Sequence, residues 1–174
     1  MTEIRFRPLA RADFALLAVW LGAEHVTPWF DHTPTAPDEI EAKYGPRVDG
    51  TDATRVYVVE LEGEPVGFVQ WTPASQYGWW PAELGLEQDS VALDGLLGTP
   101  VVLGRGLGPR ILSQFLAEAP GDFGGATRVI GETALGNQPM WRTMERVGFK
   151  CVHEGDLTRD GKTDRRVYVY ERQR

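Results

Sequence analysis

Alternation and helical spacing of apolar residues divide this chain into short strands and helices in a legible order. Ile4, Phe6 and Pro8 alternate with Glu3, Arg5 and Arg7, which predicts a first strand with charged residues on one face. Phe14, Leu17, Trp20 and Leu21 recur at helical spacing behind Asp13, a candidate N-cap. Residues 25–37 read as a loop that nevertheless holds Trp29 and Phe30. Pro37-Asp38-Glu39 then opens a second helix through Tyr44, with its acids in the first turn, where the helix dipole favours them. Residues 55–61 and 66–72 are rich in strand-forming residues, and Glu62-Gly63-Glu64-Pro65 between them reads as a hairpin turn.

Residues 76–88 are irregular and contain Trp79-Trp80-Pro81. Residues 90–97 predict the next strand, followed by Gly98-Thr99-Pro100, a strand-like run Val101, Val102 and Leu103, and a helix to Ala119. A further strand over 127–133 leads to a helix over 137–147 that Gly148 closes as a C-cap. Residues 151–155 and 166–171 form a final pair of strands joined by Arg159-Asp160-Gly161-Lys162. No repeat, linker or low-complexity segment interrupts this order, which predicts a mixed α/β single domain over residues 1–174.

The densest chemistry lies in Leu103-Gly104-Arg105-Gly106-Leu107-Gly108, where three glycines alternate just before a helical run. Glycine turns the backbone sharply and lets amides approach a ligand, and at a helix start those amides form an anion pocket. The spacing is neither that of a Walker loop nor G-x-G-x-x-G. A pyrophosphate cradle with Arg105 as an added donor is one reading, and a turn that merely joins two elements is the other.

Charge and cysteine usage narrow the classes. A formal net charge of −7 argues against nucleic acid, which needs a basic face, and suits a cationic substrate. The single cysteine, Cys151, excludes an internal disulfide and a multi-cysteine metal site, and reads as a small packed apolar residue. His25, His32 and His153 lack metal-ligand spacing, so no metal is expected. No apolar run approaches the roughly 18 residues of a membrane span and no signal peptide precedes Ile4, so a cytosolic protein without membrane partners is expected, as a monomer or homodimer.

The ordered set of motifs resembles the GNAT superfamily of N-acetyltransferases and, within it, the aminoglycoside 6'-N-acetyltransferases. The residues that carry the resemblance are Trp29-Phe30, Tyr44, Gly63 to Gln70, Gly78-Trp79-Trp80, Leu93-Asp94-Gly95, the glycine loop, and Asn137 to Phe149. The resemblance implies a central mixed, mostly antiparallel sheet flanked by helices that splays at an acetyl-CoA site. It further implies that Leu103, Gly104, Arg105, Gly106, Leu107 and Gly108 hold the CoA pyrophosphate, with Asn137 on the pantetheine arm and Met144 beside the thioester. A cationic small-molecule amine would be the acceptor, contacted by Trp29, Tyr44, Gln70, Trp79, Trp80, Asp94 and Glu132.

A protonated amine cannot attack a thioester, so a base or a water chain must take its proton. Asp94 is conspicuous in a strand otherwise apolar from Val91 to Leu97, and the resembled family has its proposed base there. The other reading is a solvent-facing residue in an alternating strand. Glu132 stands where the family usually has an aspartate near the substrate amine, or is a surface charge at a strand end. The position seven residues after Asn137, often a tyrosine that reprotonates the thiolate, is Met144. CoA would then leave as thiolate or take a proton from water, tolerable for a thiol of pKa about 8.5. The six tryptophans include Trp29, Trp79 and Trp80 in loops suited to rim a cleft for a cationic sugar or to plug the open end of the sheet, whereas Trp20 and Trp71 suit the core. Asp31, Glu83 and Glu87 could add an acidic rim, and His32 could assist near Trp29. Two alternatives stand beside aminoglycoside acetylation: a siderophore-pathway acyltransferase acting on hydroxylated lysine or ornithine, and a CoA-binding module without catalysis.

Overall fold

A computed structural model describes residues 2–30, 33–77, 84–86, 88–118, 120–157 and 162–171. Among the described residues, seven strands form a mixed sheet in the order β1-β2-β3-β4-β5-β7-β6, accompanied by four α-helices. The chain divides into two compact units, Met1–Gln70 with Gly95–Leu107, and Trp71–Asp94 with Gly108–Arg174.

In the first unit, β1 (Ile4–Pro8) pairs antiparallel with β2 (Arg55–Leu61), from Ile4 opposite Leu61 to Pro8 opposite Tyr57. The turn into β3 (Glu64–Pro73) is tighter than the four residues expected. Glu62 and Gly63 alone make it, with φ of 51° and 83°, the left-handed pair that matches the twist of a hairpin. Helices α1 (Phe14–Leu21) and α2 (Pro37–Val48) bury Leu17, Trp20, Leu21, Ile40 and Tyr44 with Leu9, Val56, Val58 and Phe68. Trp20 thus takes the core position its helical spacing predicts.

Asp13 does not cap α1 with its side chain. It ends a 3-10 turn over Arg11–Asp13, and its carboxylate accepts from both Arg7 Nη1 and Nη2, at 2.7 and 2.8 Å, and from the Ala10 amide at 2.9 Å. Arg7 Nε also donates to Glu60 at 2.7 Å, so two acids hold one guanidinium. Glu39 does work from inside its helix, accepting from the Thr35 and Ala36 amides at the start of α2.

The strand-like run at 101–103 is not a strand. Pro100–Val102 is a 3-10 turn, with proline at its start, and β4 (Ser90–Leu97) has already ended. Proline's fixed φ favours the turn over three residues whose side chains alone suit a strand.

In the second unit, the first part of β4 pairs in parallel with β5 (Arg128–Ala134), and β5 pairs antiparallel with β7 (Lys162–Glu171), which pairs antiparallel with β6 (Lys150–Leu157). Ala74, Leu86, Ile130, Leu157, Val167 and Val169 close one core cluster. Trp71 is buried edge-on against Phe123, which meets Phe115 of α3 (Leu107–Glu118) in the same manner. α4 (Gln138–Val147) runs from Asn137, whose side chain accepts from the Met140 amide, to Gly148 at φ 105°. That glycine is the left-handed C-cap expected at this position.

Candidate active site

The parallel ladder between β4 and β5 starts at Ser90 opposite Arg128 and ends at Leu93 opposite Gly131. Asp94 and Glu132 are the next residue on each strand. Ala92 and Ile130, two residues earlier, pack on the cluster that holds Val167 and Leu157. Strand side chains alternate, so Asp94 and Glu132 project from that same face, where the ladder has stopped. Asp94 is exposed and Glu132 half-buried.

Glu132 has an internal partner that no local pattern announces. Arg165 Nε on β7 lies 3.4 Å from its Oε1, with both side chains largely covered (14% and 12% exposed). Across the sheet Glu132 faces Val167, and Val167 faces His153 on β6, so an acid, a guanidinium and an imidazole share one face. His153 Nε2 is buried without a hydrogen-bond partner. Cys151 faces Tyr168 instead, because a register shift between 151 and 153 breaks the alternation. The cysteine is exposed, contrary to the packed position expected of it, and its thiol donates to the His153 carbonyl at 3.4 Å. Burial pushes the Tyr168 hydroxyl's pKa up, and that hydroxyl donates to Glu145 at 3.1 Å.

Asn137 uses its side-chain oxygen to cap α4. Met144, seven residues after Asn137, is fully buried, and its sulfur lies against Gly131 of β5. It is a packing residue, with no exposed surface to offer a thioester. At Gly108 an added Cβ would sit 3.2 Å from Thr143 Oγ1 of α4.

The glycine loop belongs to the first unit up to Leu107. Gly104 and Gly106 take φ of 72° and 71° on either side of Arg105, and nothing lies within 4 Å of where a Cβ would stand on either. The loop backbone is therefore left-handed and open, and it runs directly into α3 at Leu107. Arg105 and Leu103 are exposed and Leu107 is buried. This geometry fits an anion held by loop and first-turn amides.

Of the acceptor residues expected in this unit, Trp29 is 38% exposed. Tyr44 is not on a rim: it is 1% exposed, edge-on to Phe68 with ring centroids 6.3 Å apart. It belongs to the core cluster that holds Leu17 of α1, Ile40 of α2 and Val58 of β2. Gln70 is buried too, and its Oε1 accepts from Arg47 Nη1 at 2.8 Å, while the Arg47 guanidinium lies 5.0 Å from the Tyr44 ring centre. His25 Nε2 bonds the carbonyl of Leu97, the last residue of β4, at 2.9 Å. The pairings of Arg47, His25 and Arg165 are not announced by local sequence, since each finds its partner far along the chain. Trp79, Trp80, Gly78, Asp31, His32, Glu83 and Glu87 lie outside the described residues. Among the described residues, no group of three or more His, Cys, Asp or Glu side chains is placed to hold a metal. Nor is any described helix long and apolar enough to cross a membrane.

Residues 10–157 match the family described as an acetyltransferase (GNAT) domain. The chain belongs to the GNAT acetyltransferases. The aminoglycoside N(6')-acetyltransferases type 1 of Klebsiella pneumoniae and Serratia marcescens are each 28% identical to this acetyltransferase over 161 residues, 90% of the chain and 77% of the relative. A solved aminoglycoside acetyltransferase AAC(6')-Ib in complex with coenzyme A superposes with a TM-score of 0.82 at 26% identity, covering 98% of this chain and 96% of that one. The same enzyme with coenzyme A and kanamycin gives 0.81 at 26%, with the same coverage. A spermidine N-acetyltransferase from Vibrio cholerae shares the fold at 17% identity and a TM-score of 0.76, covering 97% and 95% of the two chains. The mixed α/β architecture and N-acetyltransferase class expected from the motifs are those of this family.

Proposed function

We propose that this acetyltransferase moves the acetyl group of acetyl-CoA onto a primary amine of a cationic small molecule, the 6'-amine of an aminoglycoside. The observation that carries the reading is Asp94, an exposed carboxylate on the first residue past the end of the β4–β5 ladder. Sequence similarity to two aminoglycoside N(6')-acetyltransferases over 90% of the chain supports the acceptor class, and the net charge of −7 suits a cation.

The open left-handed loop at Gly104 and Gly106 fits the pyrophosphate of the donor, with Arg105 able to add a charged hydrogen bond. Acetyl-CoA supplies a thioester that an amine can attack. Asp94 takes the ammonium proton, directly or through one water, and its charge holds the substrate amine until that transfer. Trp29 offers an apolar face to a sugar ring. Met144 donates no proton, so the departing sulfur leaves as thiolate or is protonated by solvent, as a thiol of pKa about 8.5 permits. The whole chain acts as one domain, in the cytosol.

Release of free thiol from acetyl-CoA, followed with a thiol dye at low micromolar enzyme, tests the reading with kanamycin and tobramycin. Robust turnover is expected. Silence with coenzyme A binding intact would discard the aminoglycoside acceptor and move the search to other polyamines and to hydroxylated lysine or ornithine.

A further inference from the structure

Glu132 stands one step past the β4–β5 ladder, on the face from which Asp94 projects, yet its carboxylate is engaged from within the protein. Consecutive strand residues face opposite ways, so the two arginines of β7 serve different faces. Arg166 donates to Glu154 of β6 at 2.7 Å, whereas Arg165 reaches Glu132 of β5. The cross-strand neighbour of Arg165 on β6 is Gly155, which contributes no side chain at that position. Both members of the Arg165–Glu132 pair are largely covered, so solvent screens them weakly and a third charge must compete with a guanidinium already in place. A carboxylate so paired acts on a distant cation as a dipole, whose field falls off faster than that of an ion.

We propose that Arg165 is a specificity-determining residue that acts through Glu132. By holding the Glu132 carboxylate internally, it withholds that acid from a second ammonium group of the acceptor, so the site gains little from polycationic amines over singly charged ones. The proposal rests on the acceptor reading above, in which Asp94 receives the reacting amine.

The test compares kanamycin with 6-amino-6-deoxyglucose, which carries one ammonium, in wild type, Arg165→Met, Arg165→Lys, Glu132→Gln and the Arg165→Met/Glu132→Gln double variant. Arg165→Met is expected to lower KM for kanamycin by roughly 5- to 10-fold, the scale of one added charge contact, with kcat within about twofold and KM for the monoamine unchanged. Arg165→Lys keeps the wild-type KM. In the Arg165→Met background Glu132→Gln removes the gain. A KM for kanamycin that is unchanged or raised in Arg165→Met, or equal shifts for both acceptors, overturns the proposal. Arg165→Gln repeats the comparison should Arg165→Met fail to fold. Calorimetric binding of spermine to the CoA-loaded proteins separates the two readings. Tighter spermine binding by Arg165→Met without aminoglycoside turnover by any variant overturns the acceptor reading alone. Unchanged spermine binding overturns the role of Arg165.

Discussion

The sulfur of Met144 on α4 occupies the space that a side chain on Gly131 of β5 would need. Gly131 is the last β5 residue in the parallel ladder with β4, so the helix presses on the strand just where pairing stops. Both residues are buried, and neither can grow without moving the other. Gly131→Ala is therefore expected to destabilise by about 1–3 kcal/mol through overpacking. Met144→Ala should cost about 2–5 kcal/mol through the cavity it leaves. The double variant should lose less than the sum of the two, because the truncated Met144 makes room for the new methyl group. Urea unfolding of the four proteins measures this. Strict additivity would mean the contact carries no strain in either single variant. Where Met144→Ala remains folded, it should keep substantial turnover, since Met144 packs and does not donate a proton.

Asp94→Asn should lower turnover by about 100-fold or more while coenzyme A binding stays near wild type, because the amide keeps the shape of the side chain and loses its basicity. Steady-state thiol release with calorimetry of coenzyme A binding checks both halves. Normal turnover in this variant would remove Asp94 from the role of base.

Asp13 gives stability its acid limb. The bonds from Arg7, against the opposing effect of burial and with help from the Ala10 amide, hold its carboxyl below the ordinary 3.8. A group whose folded pKa is depressed adds stability that is present above the unfolded value and is lost as pH falls through the folded one. Asp13→Asn should therefore cost about 1.5–3 kcal/mol at neutral pH, the range for hydrogen bonds to a charged group. The difference from wild type should shrink below about pH 4. Urea midpoints from pH 2.5 to 7 give the curve, and a gap that widens toward acid would contradict the assignment.

Gly104 and Gly106 have open space around them, so strain at these positions comes from the backbone alone. With φ near +70°, Gly104→Ala should cost about 1–2 kcal/mol, and Gly104→Asn less, since asparagine visits that region more readily. Relaxation of the loop away from the left-handed form should weaken coenzyme A binding in the same order. Calorimetry on Gly104→Asn, Gly104→Ala and Gly104→Val would show it, and equal affinities would separate the loop from the donor site.

Local patterns carried most of the fold. The strand at 90–97, the second helix, the C-cap Gly148 and the place of the hairpin between β2 and β3 can be read off the chain because alternation, helical spacing and turn chemistry act between near neighbours; the tightness of that hairpin and the capping role of Asn137 cannot. The order of elements and motifs was enough for the family, and Asp94 was singled out because a carboxylate amid apolar strand residues is unusual.

Only the tertiary structure decided what those side chains touch. Tyr44 is in the core because partners from three other elements surround one face of α2. Gln70 and Arg47, 23 residues apart, and His25 and Leu97, 72 apart, meet through folding alone. The same is true of Glu132 and Arg165, which lie on different strands. A single register shift in β6 exposes Cys151 and sends His153 to the other face. The physical reason is the same throughout: periodicity fixes the face on which a residue lies, while charge pairing and burial depend on the strand or helix that packs against that face.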